Sequence, residues 1–522
     1  MTHARTCAKL WLGCVVAMML LSFPHPSAVS RQPNLTAGLA GSITDAKSGQ
    51  PLTARIQLTR EGRFVLPPGF TFYDKERDKH FYVPSAFRLP LAPGQYTIRI
   101  ERGKEYRPLI ETFSVSAGHY LQRDFKLDRW INMEARGWYS GDLHVHRPAE
   151  VMAETLLAED LNFAPVISTH YWSKWDSLRK TPGPASSRVQ VDGTHVFSTG
   201  GYEVERIIQG PGAVTLFGAE LKLDEEGYEL YPPASSLTRK TREQGGYIDG
   251  DKPFWLDVPV NIALGEIDFM EVACNHFFPR GVEADVRRWA SLKPEPEFAG
   301  SDRGFALWIM DLYYKFLNCG FELPASGGSA CGVKPLAVGY NRVYVKLDAP
   351  FSYDNFLRAL KAGRSVSTNG PMLNLKVDGN EIGSRITFKG SARLQIEATA
   401  ESAGELESLE ILVNGEPRAV VRGKGKLTAR QTIAVDESVW VAARAFEKSA
   451  QTVVFGQTSP VYVLQGGKPV RVASSARYWL EKVDQLIERT RNQNGFQAES
   501  HRQETLAVFE KARQVYLDIL RK

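Results

Sequence analysis

Cysteine is scarce in this chain, with five in 522 residues. Cys7 and Cys14 lie in the first thirty, which leaves only Cys274, Cys319 and Cys331 beyond them. An odd number cannot all pair within one chain, so at most one disulfide forms and cysteine does not hold the fold together. A large excess of either charge is also missing. The formal net charge is +5, and no cluster of Lys and Arg interleaved with aromatics is present, which argues against a nucleic-acid partner. Beyond the N-terminus no segment approaches the ~20 apolar residues that a membrane-spanning helix needs. There is no Walker-type phosphate loop, no Gly-x-Ser-x-Gly elbow and no Cys-x-x-Cys pair. Internal repeats and low-complexity tracts are lacking too.

The N-terminus has a pattern of its own. Arg5 and Lys9 precede an apolar run from Leu10 to Leu21, followed by Pro24, Pro26 and small residues. A run of about a dozen apolar residues is too short to span a bilayer. Basic start, short apolar stretch and small-residue exit are the order of a cleavable secretion signal. Ala28-Val29-Ser30 fits the cleavage rule, so residues 1–30 are expected to be removed and the mature chain to be secreted or periplasmic.

The chain is too long for one core, and two to four domains are expected. Between 31 and 128 the pattern is all β. Ala54, Ile56 and Leu58 alternate with Arg55 and Gln57, and Tyr96, Ile98 and Ile100 alternate with Thr97 and Arg99. Such period-two alternation gives a strand one buried face and one wet face. From 129 to 370 short apolar strands alternate with amphipathic stretches. Ala153–Leu161, Phe305–Leu317 and Tyr353–Lys361 read as helices and Ala164–Ser168 as a buried strand, an α/β pattern. From 371 to 466 strands return without helices, and Asn414-Gly415 marks a hairpin turn. Residues 467–522 read as a helical hairpin. Trp479, Val483, Leu486 and Ile487 line one face of its first helix, and Phe509, Ala512, Tyr516 and Ile519 one face of its second.

The most informative stretch is Gly141-Asp142-Leu143-His144-Val145-His146. On an extended chain Asp142, His144 and His146 share one face. Two imidazoles so spaced can ligate one metal ion, and a nearby aspartate can orient a ring from the second shell. His170 closes the next apolar strand, and strand ends converge on one mouth in a barrel. Glu203 follows the turn Ser198-Thr199-Gly200-Gly201. His276 ends Glu271-Val272-Ala273-Cys274-Asn275-His276. The candidate metal ligands are therefore His144, His146, His170, Glu203 and His276. His195, in a polar loop, is expected to be solvated. Tyr171, Trp172 and Trp175 are candidates for stacking on a sugar or aryl group, with core packing as the alternative.

Two resemblances add to this reading. Gly41-Ser42-Ile43-Thr44-Asp45, Ser48-Gly49-Gln50-Pro51-Leu52 and Leu91-Ala92-Pro93-Gly94-Gln95-Tyr96 resemble the carboxypeptidase regulatory-like β-sandwich, mostly an accessory module. Gly141-Asp142-Leu143-His144-Val145-His146 resembles the opening motif of PHP-type (polymerase and histidinol phosphatase) metallohydrolases. Their carbaryl-hydrolase-like branch, the CehA/McbA family, is resembled by a later run. In it Asn318-Cys319-Gly320 precedes Ala325-Ser326-Gly327-Gly328-Ser329, Gly339-Tyr340-Asn341-Arg342-Val343-Tyr344-Val345, Leu360-Lys361-Ala362-Gly363-Arg364 and Thr368-Asn369-Gly370-Pro371. The resemblance covers about 135–375. It implies a distorted (β/α)7 barrel with metal at the strand C-termini, flanked here by two β-sandwiches and the helical hairpin. His144 and His146 match the first ligand pair, His170 the next histidine and Glu203 the following carboxylate. Two stretches depart from the family pattern. Lys252-Pro253 stands where His-Pro is usual, and Ser329-Ala330-Cys331-Gly332 stands where Ser-Asp-x-His is usual. Fewer ions than the usual three are expected.

The implied activity is hydrolysis of an ester, carbamate, amide or phosphoester bond in a small-molecule or glycan-linked substrate. A divalent ion activates water for it, with zinc the first choice and manganese or iron the alternatives. Lys252 is the candidate for stabilising the developing anion. A non-catalytic ligand- or glycan-binding protein on a decayed scaffold is the alternative that the missing ligands leave open.

Overall fold

The computed structural model describes residues 37–75, 78–172, 186–206, 210–221, 230–283, 286 and 291–521, with the side chains of His170, Tyr171 and Trp172 outside the description. The expected leader, 1–30, and Trp175 also lie outside the described residues. The architecture is mixed α/β, with several sheets and a C-terminal pair of helices. No described helix is long and apolar enough to cross a membrane.

The alternating strands of the N-terminal region form two sheets. One joins Ala86–Pro90, Gly38–Asp45 and Tyr120–Leu127; the other centres on Ala54–Arg60 between Asp78–Val83 and Gly94–Glu101. The apolar set read from the sequence turns inward. Ala54, Ile56, Leu58, Ile98 and Ile100 are buried in one cluster with Leu39, Ile43 and Phe125 from the facing sheet. This region is bound to the next by ion pairs with little exposure: Arg55 Nε lies 2.8 Å from Glu159 Oε1, and Arg102 Nη2 lies 2.8 Å from Asp160 Oδ1.

The central region builds one long mixed sheet. Its strands run in the order Ala325–Gly327, Phe269–Ala273, Tyr247–Gly250, Gly212–Phe217, Val196–Arg206, Phe163–Trp172, Trp138–Gly141 and Arg342–Lys346. Trp138–Gly141 pairs in parallel with Phe163–Trp172, as that strand does with Val196–Arg206, and Tyr247–Gly250, Phe269–Ala273 and Ala325–Gly327 are also mutually parallel. The first strand of this series also meets the segment that follows Trp138–Gly141. Leu143 N donates to Gly327 O at 3.1 Å, and Val145 bridges both Val166 and Cys331. Most residues of these strands are buried, as in sheets covered on both faces. Phe356, Leu357 and Leu360 of the helix Tyr353–Lys361 pack on Leu143, Phe163 and Val343.

The sheet does not stop at residue 370. Ser365–Thr368 pairs with Phe455–Thr458, which continues into Val439–Glu447, Leu406–Val413 and Glu416–Arg422. The hairpin at Asn414-Gly415 is present, with φ of 51° and 93° at its two turn residues, the left-handed pair that a two-residue turn of this type requires. A second sheet, Asn380–Glu381, Met372–Val377, Ala392–Glu401 and Leu427–Val435, shares a core with it. The two C-terminal helices, Ala473–Asn492 and Glu499–Arg521, bury the expected stripe except for Ile519, which is half-buried. They share one cluster with the helix Asp302–Asn318 and the strand Phe269–Ala273. Cys274, Cys319 and Cys331 are all buried free thiols.

Candidate metal centre

Gly141 ends a strand, the chain bends at Leu143, and the segment from His144 to His146 is then held on both sides, with Ile167 N donating to Val145 O at 2.8 Å on one of them. His146 N donates to Cys331 O at 2.7 Å, and Ala330 N donates to His144 O at 2.6 Å. The two-residue spacing thus sends both imidazoles the same way, as the sequence implies. Glu203 comes from the strand two places along, past Phe163–Trp172. His144 Nε2 lies 3.1 Å from His146 Nε2 and 3.3 Å from Glu203 Oε1, and His146 Nε2 lies 3.1 Å from Glu203 Oε2. All three side chains have little exposure, 6% at most.

These separations fit a coordinated ion. At a metal–ligand distance of ~2.1 Å, neighbouring ligand atoms stand about 3.0 Å apart in an octahedron and about 3.4 Å apart in a tetrahedron. The three separations observed, of which the two to Glu203 end on its two different oxygens, fall in that interval. Two imidazole nitrogens and a carboxylate form a donor set for zinc, and equally for manganese or iron. The buried group His144, His146 and Glu203 can bind a metal ion.

The other expected ligands are placed differently. His170 is the ladder partner of Glu203 on the adjacent strand, and its side chain lies outside the described residues. His276 is not part of the triad. Its Nδ1 faces Glu283 Oε2 at 2.5 Å, and Phe254 packs 5.7 Å from its ring. Burial pushes its pKa down to about 3. His195, expected to be solvated, is buried with Nδ1 2.8 Å from Asp192 Oδ1. The bend at 192–194 brings that aspartate back to the His195 backbone N–H and ring.

Asp142 has a different task from orienting a ring. Its carboxylate accepts from the backbone N–H groups of His144, Ser329 and Gly339 at 3.1, 2.9 and 2.7 Å, and from Ser329 Oγ at 2.5 Å. It therefore fixes the histidine segment to the loop that follows Gly327. The group that meets the ring is Glu271, whose Oε1 is 3.2 Å from His144 Nδ1. With Nδ1–H donated to this carboxylate, Nε2 is left as the ligating atom, the usual partnership around a metal-binding histidine. Burial disfavours a charged His144, but the charges of Glu203 and Glu271 outweigh it and raise its pKa well above the ordinary value. Burial lifts Glu271 to about 7, against the opposing pull of His144.

Close packing enforces the arrangement. A side chain at Gly328 would stand 2.3 Å from Glu271 Oε1 and 2.4 Å from His144 Cβ, so only glycine fits there. Ala330 sits in the left-handed region at φ 51°, which costs a non-glycine residue ~1–3 kcal/mol. Tyr73, from the N-terminal region, clamps the same loop. Its hydroxyl accepts from Gly332 N at 3.1 Å and donates to Lys334 O at 2.5 Å.

Sequence reasoning gave no role to Asp249, Asp251 or Glu271, which crowd the same strand ends. Asp249 and Glu271 lie on neighbouring parallel strands, and Asp251 follows the end of the first. All three are fully buried. Ser326 Oγ donates to Asp249 Oδ1 at 2.9 Å. Burial, and then the charge of Glu271, push the Asp249 pKa well above its ordinary value. Acids inside apolar strands such as Phe269-Met270-Glu271-Val272-Ala273 were the available signal, because a buried carboxylate without a task is costly. Lys252 lies among them. Its ammonium pairs with Asp251 and stands 3.8 Å from Glu203 Oε1.

Glu271→Gln should lower the affinity for a divalent ion by ~10-fold. That is the lower end of what a group hydrogen-bonded to a ligating histidine contributes, since an amide carbonyl still accepts from Nδ1–H. Competition with a chromophoric chelator reads the change, and an unaltered affinity would remove Glu271 from the site. Compared with protein-family profiles and with curated proteins, the chain gives no match.

Proposed function

We propose that this protein is a metal-dependent hydrolase. The observation that carries the reading is the buried cluster of His144 Nε2, His146 Nε2 and the Glu203 carboxylate, with separations of 3.1 to 3.3 Å. When bound there, a divalent ion lowers the pKa of water and polarises a carbonyl or phosphoryl oxygen. The remaining work falls to the chain. His144, His146 and Glu203 hold the ion, with zinc the first choice. Glu271 keeps His144 in the ligating tautomer. Asp142 holds the histidine segment rigid, and Lys252 offers a fixed positive charge for the anion that develops during attack. His170, across the ladder from Glu203, is proposed as a further ligand.

The same reading takes the closed run of central strands as a distorted (β/α)7 barrel of the PHP type, in the carbaryl-hydrolase-like branch. The paired sheets before and after it are taken as β-sandwiches, the first of them carboxypeptidase regulatory-like. The scissile bond belongs to the ester, carbamate, amide or phosphoester class, in a small-molecule or glycan-linked substrate. The leader-like segment 1–30 supports export. Lys252 and Ala330, where ligands are usual in the family resembled, favour the second reading, a non-catalytic binding protein on the same scaffold.

Purified protein loaded with zinc or manganese should hydrolyse at least one of a panel of aryl esters, carbamates and phosphoesters, and a chelator should abolish the turnover. Bound metal without turnover on any class would favour the binding protein. Absence of bound metal would overturn both.

A further inference from the structure

The centre contains more buried carboxylates than one ion needs. Glu203 belongs to the donor triangle, while Asp249, Asp251 and Glu271 surround it at 0% exposure. Among the described residues, Asp249 Oδ2, Asp251 Oδ1 and Glu271 Oε2 have no hydrogen-bond partner. Oxygens left so in a protein interior are costly unless a positive charge stands near them. A positive charge does stand among them: Lys252 is 1% exposed, its ammonium paired with Asp251 and 3.8 Å from Glu203 Oε1. Trp255 lies beside it, with the ammonium 5.7 Å from the ring centroid.

Glu203 thus has two neighbours of different kinds. Its oxygens face the nitrogens of His144 and His146, and Oε1 also faces the ammonium. A carboxylate between two cations is the usual arrangement of a two-metal centre, whose ions lie ~3.5–4 Å apart. Here an ammonium stands at one of the two positions. It has three N–H donors and no lone pair, so it satisfies carboxylates but cannot ligate. Its charge repels a divalent ion brought to the same acids.

We propose that the Lys252 ammonium takes the place of a second cation, so that the centre accepts one divalent ion and no more. The proposal rests on the metal-binding reading above and adds to it the number of ions and the residue that sets that number. Lys252 then supplies, as a permanent part of the chain, the fixed charge that a second ion supplies elsewhere.

The test is metal stoichiometry. Metal-stripped full-length protein is dialysed against Zn(II) or Co(II), and bound metal per chain is counted by mass spectrometry. The unaltered protein should hold one equivalent. Lys252→His, which replaces the ammonium by a ligating imidazole, should hold two. Lys252→Gln, which removes the charge and adds no strong ligand, should take up a second equivalent at higher free metal, and it serves where the histidine variant fails to fold. Circular dichroism confirms folding, and the Co(II) absorption spectrum reports a second, distinct site. Two equivalents in the unaltered protein would overturn the proposal and leave the metal-binding reading intact. One equivalent in the unaltered protein and in every folded variant would do the same. No bound metal in any of them would overturn the metal-binding reading and the proposal with it.

Discussion

Replacing His144 by alanine should abolish stoichiometric metal binding and, with it, all metal-dependent turnover. His144 stands at the convergence of the site. Its Nε2 forms two edges of the donor triangle, and its Nδ1 meets Glu271. Loss of a group hydrogen-bonded to a ligand alone costs ~10–100-fold in metal affinity, so loss of the ligand itself should exceed ~100-fold. The variant also leaves Glu203 and Glu271 facing each other across the space the ring filled. Metal content after dialysis and the rate on any substrate found in the screen are the measurements. A variant that retains one equivalent and most of its activity would show that the ion lies elsewhere. Asp142→Asn should weaken binding less, because Asp142 contacts backbone amides and a hydroxyl rather than a ring.

The second large effect is on stability and arises far from the site. Trp479→Ala should cost ~3–5 kcal/mol, the range for emptying a large aromatic position in a core. Trp479 is fully buried and stacks on Phe316 with centroids 3.9 Å apart. The helix carrying it is joined to the body by more than this ring. Val472 N donates to Asn318 O at 2.8 Å, and Tyr516 Oη on the second helix donates to Pro259 O at 2.8 Å. The hairpin is therefore part of the core that supports the strand Phe269–Ala273, which carries Glu271. Urea unfolding followed by fluorescence and circular dichroism reads the loss. A change below ~1 kcal/mol would show the hairpin to be a loosely attached appendage.

Much of the local structure was legible in the sequence, because the signals were local. The stretch Tyr353–Lys361 shows helical periodicity, and Ser352 supplies the N-cap that accepts from Asn355 N. Asn414-Gly415 has the two residues that a left-handed turn requires. The two histidines share a face because the backbone between them is extended. What failed is non-local. Asp142 looked like a partner for the ring beside it, yet its oxygens are claimed by amides at Ser329 and Gly339, nearly two hundred residues away. Glu271, 127 residues from His144, takes the ring instead. No pattern within one segment reports which strand ends will meet, and so the acids on Tyr247–Gly250 and Phe269–Ala273 went unassigned. The pairing of Ser365–Thr368 with Phe455–Thr458, across the change of composition near 370, is equally beyond any local pattern.

Anomalous diffraction from crystals of the full-length protein soaked with zinc or manganese tests the metal centre most directly. One peak is expected, enclosed by His144 Nε2, His146 Nε2 and the Glu203 carboxylate, at about 2.0–2.1 Å from each nitrogen if the ion is zinc. A well-ordered crystal with these three side chains in hydrogen-bond contact and no peak between them, or with its only peak at other residues, would contradict it.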